Sequence, residues 1–357
     1  MTGGKHAASA AQAGILLMSY GGPQSGEDCE PYLRNLFLDP ALVPIPSLLR
    51  PFLAGRMARR RAPKLRQNYA SMGRFSPLLR ETREQAQALE RLLGSGCRCK
   101  VGMRYWTPSI GQACRDFAQE GVESIVLLPM FPHESATTTG TCVEEADRAL
   151  KSEGWCGRLA VIRSFATAPG YLEAMAEGLG RALRESEAES RVLFCAHGLP
   201  VSIARRDPYP SQILSTVAAL CERFAINLDP VSLDGSSPSS AGAPGGGTVR
   251  GALGWQGKVG LMRWLEPSAE EVIDRWGRDG VSMLIMVPVS FVSEHSETLY
   301  EMDVLMAGLA RERGMTVSRV PAIGSHPAFV EMLSRAVREV FTGGGSEGVV
   351  SERLEAP

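Results

Sequence analysis

The chain has 357 residues, enough for two domains and a large core without metal or disulfide staples, so a small stapled scaffold is excluded. Its 38 Lys and Arg offset 39 Asp and Glu to a net charge of −1, leaving no global field for nucleic acid or an anionic membrane. With 44% apolar and 22% charged residues the composition is globular, and no apolar run approaches the ~20 residues of a membrane span.

The first residues, MTGGKHAASAAQAG, carry one Lys and no apolar stretch of secretory type, which predicts a cytoplasmic protein with residues 1–13 disordered. Strands are predicted over 14–19, 99–106, 124–130 and 159–165, alternating with helices over 77–93, 110–120 and 141–153. Pro169 and Gly170 mark a boundary. Beyond it come strands over 191–196, 252–256, 282–289 and 316–320, with helices over 170–186, 210–224, 268–278 and 299–313. Continuous apolar strands imply parallel sheets covered on both faces. The fold class is therefore α/β, with two doubly wound domains of four strands each, 14–168 and 169–341. Residues 227–250, of which 13 are Gly, Ser or Pro, read as an exposed flexible insertion, and 342–357 read as a frayed, disordered end.

Eight cysteines contain no CxxC and read as reduced thiols. Cys97-Arg98-Cys99 is the close pair, half of a metal or redox site at most and more simply inert. Ligands of open α/β sheets bind beyond the carboxyl ends of the strands, so the residues there carry the functional reading. The first strand runs into Ser19-Tyr20-Gly21-Gly22-Pro23, either a tight turn or a ligand-facing loop; the missing third Gly weighs against a dinucleotide. The fifth runs into His197-Gly198-Leu199-Pro200, which holds an imidazole at a strand mouth where it can accept a proton or ligate a metal. After the seventh, Glu294, Glu297 and Glu301 fall on one face at helical spacing, and such a row of like charges suits the guiding of cations or protons. Arg104, Tyr105 and Trp106 end the second strand, while Trp255 and Trp264 flank Lys258 and could wall a planar ligand. Residues 46–66 mix apolar side chains with seven basic ones from Arg50 to Arg66, an amphipathic surface that reads either as a solvated face or as a contact for anionic lipid or ligand carboxylates.

Taken in order, LLMSYGGP (16–23), LFLDP (36–40), GMRYWTP (102–108), TTTG (137–140), AHGLP (196–200), DPYP (207–210), GWQGKVG with RWLEP (254–267) and HSETLYEMD (295–303) resemble the ferrochelatases, enzymes that insert ferrous iron into a porphyrin to complete haem. The resemblance runs from Gly14 to about Val340 and implies two similar Rossmann-like domains around a porphyrin cleft, with an active-site lip at 41–66. It implies that His197 and Glu297 are the catalytic and metal-handling pair, that Glu294, His295 and Glu301 extend an acidic path on a helix with a π irregularity, and that Tyr20, Arg104, Tyr105, Trp264 and Phe291 contact the porphyrin. Cys195 stands where the family usually has Ser. No Cys follows Cys221, and Ala136 occupies the internal position of the cluster-bearing relatives, so no [2Fe–2S] cluster is expected and no cofactor beyond substrate iron. Protoporphyrin IX and coproporphyrin III both remain open as substrates, the lip favouring the first. Alternatives are a chelatase for cobalt or nickel in another tetrapyrrole and a non-enzymatic haem or porphyrin carrier. The expected partners are porphyrin and ferrous iron, with peripheral membrane contact at the lip and no nucleic acid.

Overall fold

The computed structural model describes residues 13–43, 46–186, 189–231, 249–258 and 262–354. Strand β1 (Ala13–Ser19, AGILLMS) is buried along its whole length because it is central, paired in parallel with β2 (Cys97–Met103) on one side and β3 (Ser124–Pro129) on the other. Ile15, Leu16, Leu17 and Met18 reach 0% exposure, and each such side chain contributes about 1.5–3 kcal/mol of burial. Between β1 and β2 lie helices α1 (Cys29–Phe37), α2 (Arg50–Ser71) and α3 (Leu78–Leu93). Small residues at Ala54, Ala58 and Ala62 of α2 let it pack closely against Cys29, Leu33 and Phe37 of α1, which forms the lip as a helical hairpin. Helix α4 (Ile110–Gln119), capped by the Ser109 hydroxyl, precedes β3. Helix α5 begins as a π-helical turn, Ala136–Gly140, and continues as Thr141–Ser152 before β4 (Arg158–Ser164).

The second half repeats this plan. Helix α6 (Pro169–Arg184) leads to the central strand β5 (Ser190–His197), followed by the short α7 (Val201–Ala204) and α8 (Tyr209–Phe224). Strands β6 (Ile226–Leu228) and β7 (Val249–Gln256), helix α9 (Ala269–Arg278) and β8 (Met283–Pro288) come next. Helix α10 opens as a π-helix, Glu297–Met306, and closes as Ala307–Glu312; β9 (Thr316–Arg319), α11 (Pro327–Thr342) and β10 (Val350–Leu354) complete the chain. Among the described residues the sheet orders are β10-β4-β3-β1-β2 and β6-β7-β5-β8-β9. Every pairing is parallel except that of β10 with β4. One continuous core runs through both halves, from Ile15 and Val126 through α6 and α11 to Val192 and Ile285.

Several expectations change. Each sheet has five strands rather than four, because β6 adds to one edge and β10 to the other sheet. The end from 342 onward is not all frayed, since Val350–Leu354 returns to cover the edge strand β4 of the first sheet. Both ends of the expected insertion at 227–250 enter strands, where Ile226 pairs with Val249 and Leu228 with Gly251; residues 232–248 lie outside the described residues, as do 1–12 and 355–357. The helix α11 went unpredicted although Phe329, Val330, Leu333, Ala336, Val337 and Val340 are buried on it, an apolar face wide enough to serve α6 and α3 at once.

Candidate functional site

The two halves share one register around the cleft. Met18 of β1 pairs with Pro129, as Cys195 of β5 pairs with Pro288, so Tyr20 and His197 occupy equivalent positions at the ends of the two central strands. The loops after β3 and β8 are likewise equivalent. Glu134 pairs with Arg163 at 3.1 Å and donates its N–H to Gln212 of α8. Glu294 pairs with Arg319 at 2.8 Å and donates its N–H to Glu81 of α3. Each loop is thus docked on a helix of the other half, with His133 beside Thr216 (2.8 Å) and Ser293 beside Gln85 (3.1 Å) one turn further along. These reciprocal bonds fix the two strand mouths facing each other.

Between them lies a cavity of about 500 Å³, within the usual range for a small-ligand site. Tyr20, Phe131 and the lip residues Leu36, Phe37, Leu42 and Met57 wall it from one half, and His197, Trp264, Phe291, His295 and Glu297 from the other. A larger open depression of about 1140 Å³ along β2 shares no residue with it. There the half-buried Cys97 and Cys99 sit among charged side chains; Glu90 is occupied by the Cys99 N–H at 2.7 Å and Lys100 by Glu120 at 2.7 Å, and burial raises the pKa of both thiols, which keeps them protonated.

At the cavity floor the His197 Nδ1 lies 2.7 Å from Glu297 Oε2. The backbone holds this imidazole on three sides: its N–H donates to the Ser290 hydroxyl, its carbonyl accepts from the Tyr209 hydroxyl, and Gly257 lies against the ring. Gly257 has φ +79°, and a Cβ there would stand 2.6 Å from His197 Cε1, so glycine is required twice over. Burial alone would lower the pKa of His197; the adjacent Glu297 carboxylate outweighs it, Glu301 assists, and the imidazole rises to about 9. Burial would likewise raise Glu297, but the His197 charge and hydrogen bond, with His295 behind them, hold it far below the ordinary carboxylate range. Glu301 goes the other way, pushed up by burial and then by the Glu297 charge. The cluster therefore holds one carboxylate that stays ionised beside one that resists ionisation, the separation that proton handling needs.

His295 stacks on Phe291 with ring centroids 4.4 Å apart and places its Nε2 3.7 Å from Glu297 Oε1, so His197, Glu297, His295 and Glu301 converge as expected from the sequence. Glu294 does not join them. Glu294 lies in the loop before the helix, which starts at Glu297, so helical spacing does not reach it, and it is consumed by Arg319, the Thr298 hydroxyl and the Ala322 N–H. Arg104 and Tyr105 are also diverted. Both bind the buried Asp39, at 2.7 and 2.9 Å, which the Thr141 hydroxyl shares at 2.6 Å, and Tyr105 is 2% exposed. They anchor the lip instead of walling the cavity. Tyr20, Trp264 and Phe291 do line it, Tyr20 with its hydroxyl donated to the Thr137 carbonyl at 2.6 Å. The sequence reading missed Ser290, Tyr209 and Gln256, which steady the His197 and Glu297 backbone, and Arg61 at the rim; the DPYP, GWQ and basic-helix segments contained three of the four without singling them out. Among the described residues no three His, Cys, Asp or Glu converge to hold a resident metal ion.

Comparison with known proteins fits this geometry. A ferrochelatase family profile matches residues 12–340. The chain is 38% identical over 335 residues to a ferrochelatase of Geotalea uraniireducens, covering 92% of this chain and 98% of that one. It is 38% identical over 330 residues to a ferrochelatase of Aquifex aeolicus, covering 91% and 98%. Among solved structures it is similar in fold to SirB from Bacillus subtilis with Fe3+, with a TM-score of 0.54 at 11% identity over 94% of this chain and 99% of that one. Two Rossmann-like halves closing on an apolar cavity, with a paired histidine and glutamate at its floor and these relatives along nearly the whole length, place the chain in the ferrochelatase family.

Proposed function

We propose that this protein inserts ferrous iron into a porphyrin to form haem, and that protoporphyrin IX is the porphyrin. The observation that carries the reading is the His197–Glu297 pair at 2.7 Å on the floor of a cavity otherwise walled by aromatic and aliphatic side chains. Insertion consumes Fe²⁺ and the free-base macrocycle and releases two pyrrole protons. A flat ligand between Tyr20 and Phe131 on one side and Trp264 and Phe291 on the other leaves its centre next to the titratable cluster.

His197 donates from Nδ1 to Glu297, which leaves Nε2 as the atom that takes a pyrrole proton once the imidazole is neutral. Before substrate binds, the imidazole is charged at neutral pH, its pKa being about 9. A divalent cation beside Glu297 drives that proton to solvent and lowers the pKa, so arrival of the metal converts the imidazolium into a base. The same cation favours ionisation of Glu301, whose carboxylate then takes the second pyrrole proton and passes it to solvent. These residues also supply oxygen and nitrogen donors that replace water on the incoming ion stepwise. The rigid aromatic walls hold the macrocycle against the cluster and favour a non-planar form whose nitrogen lone pairs are exposed.

The apolar lip supports protoporphyrin, the less polar of the two candidates. Arg61 at the rim, its guanidinium 5.5 Å from the centre of the Phe37 ring, is the carboxylate anchor we assign. Leu48, Leu49 and Phe52 on the outer lip are 94%, 55% and 69% exposed beside Arg56, Arg59 and Arg60, an arrangement that suits peripheral contact with an anionic membrane. No described helix is long and apolar enough to cross one. Anaerobic insertion of Fe²⁺, followed by absorbance with each porphyrin, tests the reading. Haem forms from protoporphyrin IX at the higher kcat/KM; a preference for coproporphyrin III overturns the porphyrin assignment, and no metallation of either overturns the function.

A further inference from the structure

The equivalence of the two halves exposes one side chain that the chemistry above does not use. In β7, Trp255 donates its N–H to the Pro267 carbonyl, as Met103 of β2 does to Pro108, so Gln256 is the counterpart of Arg104. Both reach the same place in the following π-turn. Arg104 binds the Thr141 hydroxyl at 2.8 Å, and Gln256 donates from Nε2 to Glu301 Oε2 at 3.3 Å and to the Glu297 carbonyl at 3.4 Å. Thr141 follows Thr137 by four residues, as Glu301 follows Glu297. In one half this position is a cation, answered by Asp39; in the other it is a neutral amide beside two carboxylates.

Gln256 is 1% exposed, and its Oε1 is buried without a hydrogen-bond partner among the described residues. An amide retained only for packing would have both ends satisfied. Here the donor end alone is engaged, and what it engages is the Glu301 carboxylate and the Glu297 backbone carbonyl in the first turn of α10. We infer that Gln256 is a positioning residue for metal insertion: it holds the Glu301 carboxyl group and the first turn of α10 against His197 without placing a fixed cation where the metal arrives. A guanidinium at this position, as in the other half, would make the same bond but add a positive charge that repels the incoming cation. This assignment rests on the proposed function above.

The experiment measures kcat and both KM values for anaerobic Fe²⁺ insertion by wild type, Gln256→Met, Gln256→Arg, Glu301→Gln and the double variant Gln256→Met with Glu301→Gln. Haem formation by wild type secures the function independently of the outcome for Gln256. Gln256→Met is expected to lower kcat about 10-fold with KM for the porphyrin unchanged. Gln256→Arg restores a donor yet stays at least as slow and shows a raised KM for Fe²⁺. In the Glu301→Gln background the Gln256→Met change adds little, because the residue acts through Glu301. Wild-type kcat in Gln256→Met or in Gln256→Arg overturns the assignment, and so does full additivity of the double variant. Should Gln256→Met fail to fold by circular dichroism, Gln256→Arg and its KM for Fe²⁺ decide the question alone.

Discussion

The N-terminal and C-terminal halves share a backbone plan down to single residues but spend it differently. At the mouth of the first central strand stands Tyr20, bonded to a backbone carbonyl of the π-turn; at the mouth of the second stands His197, bonded to a carboxylate of the equivalent turn. The buried charges of the first half, Asp39 and Arg104, neutralise each other and lock the lip. Those of the second half, His197 and Glu297, pair with each other at the floor of the cavity. The same fold therefore gives a wall on one side and a reactive floor on the other, and the difference lies in whether the paired charges are sealed away from the cavity or line it.

Removing the reactive group breaks this contrast most sharply. His197→Ala is expected to slow iron insertion by about 10²–10⁴-fold, the scale of a positioned proton-transfer group, while circular dichroism shows the wild-type fold. Glu297→Gln comes next. It removes the carboxylate that lifts His197 to about 9, leaving burial to pull the imidazole to or below its ordinary ~6.5. The rate of wild type rises with pH toward about 9 as the free enzyme's imidazole becomes neutral; in Glu297→Gln that rise moves to lower pH under a reduced ceiling, and an NMR titration of the ring follows the same shift. The stability that the pair contributes has the matching sign. Since the folded pKa lies above the unfolded one, that contribution is complete below pH ~6.5 and is lost as pH rises through about 9, readable from denaturation midpoints across that window.

Gly257→Ala sharpens the contrast at smaller scale. The added methyl meets the imidazole at 2.6 Å and turns it from Glu297, for an expected kcat loss of about 10–100-fold with the porphyrin KM little changed. In the other half, Asp39→Asn should touch stability more than chemistry. It weakens the bonds to Arg104, Tyr105 and Thr141, and a cost of about 1–3 kcal/mol is expected in denaturant melts, with kcat close to wild type. A collapse of kcat in folded Asp39→Asn would mean that the first half is more than a wall.

Much of this was legible beforehand. The βαβ rhythm and the positions of Tyr20 and His197 at strand mouths follow from apolar runs, the grouping of Glu297 with Glu301 from helical spacing, and His295 beside them from the family resemblance alone. What escaped was set by long-range pairing. Glu294 looks like a third member of an acidic row until Arg319, 25 residues away, claims it. Arg104 and Tyr105 look like porphyrin contacts until Asp39, 65 and 66 residues away, does the same. Strand β10 has no hydrophobic alternation of its own, because an antiparallel edge strand with one partner buries little; Val350, Glu352 and Arg353 are exposed on it. The start of α10 at Glu297, four residues after the Ser293 that reads as its N-cap, is what leaves Glu294 in the preceding loop.

The account stands or falls on a side-by-side measurement: anaerobic Fe²⁺ insertion into protoporphyrin IX by wild type, His197→Ala and Tyr20→Phe. Haem formation by wild type, a loss of two or more orders of magnitude in His197→Ala and less than about tenfold in Tyr20→Phe are predicted, since of these two side chains His197 alone is placed to exchange protons with the substrate. Equal losses in the two variants, or an undiminished rate in His197→Ala, would contradict the assignment of the chemistry to the C-terminal half.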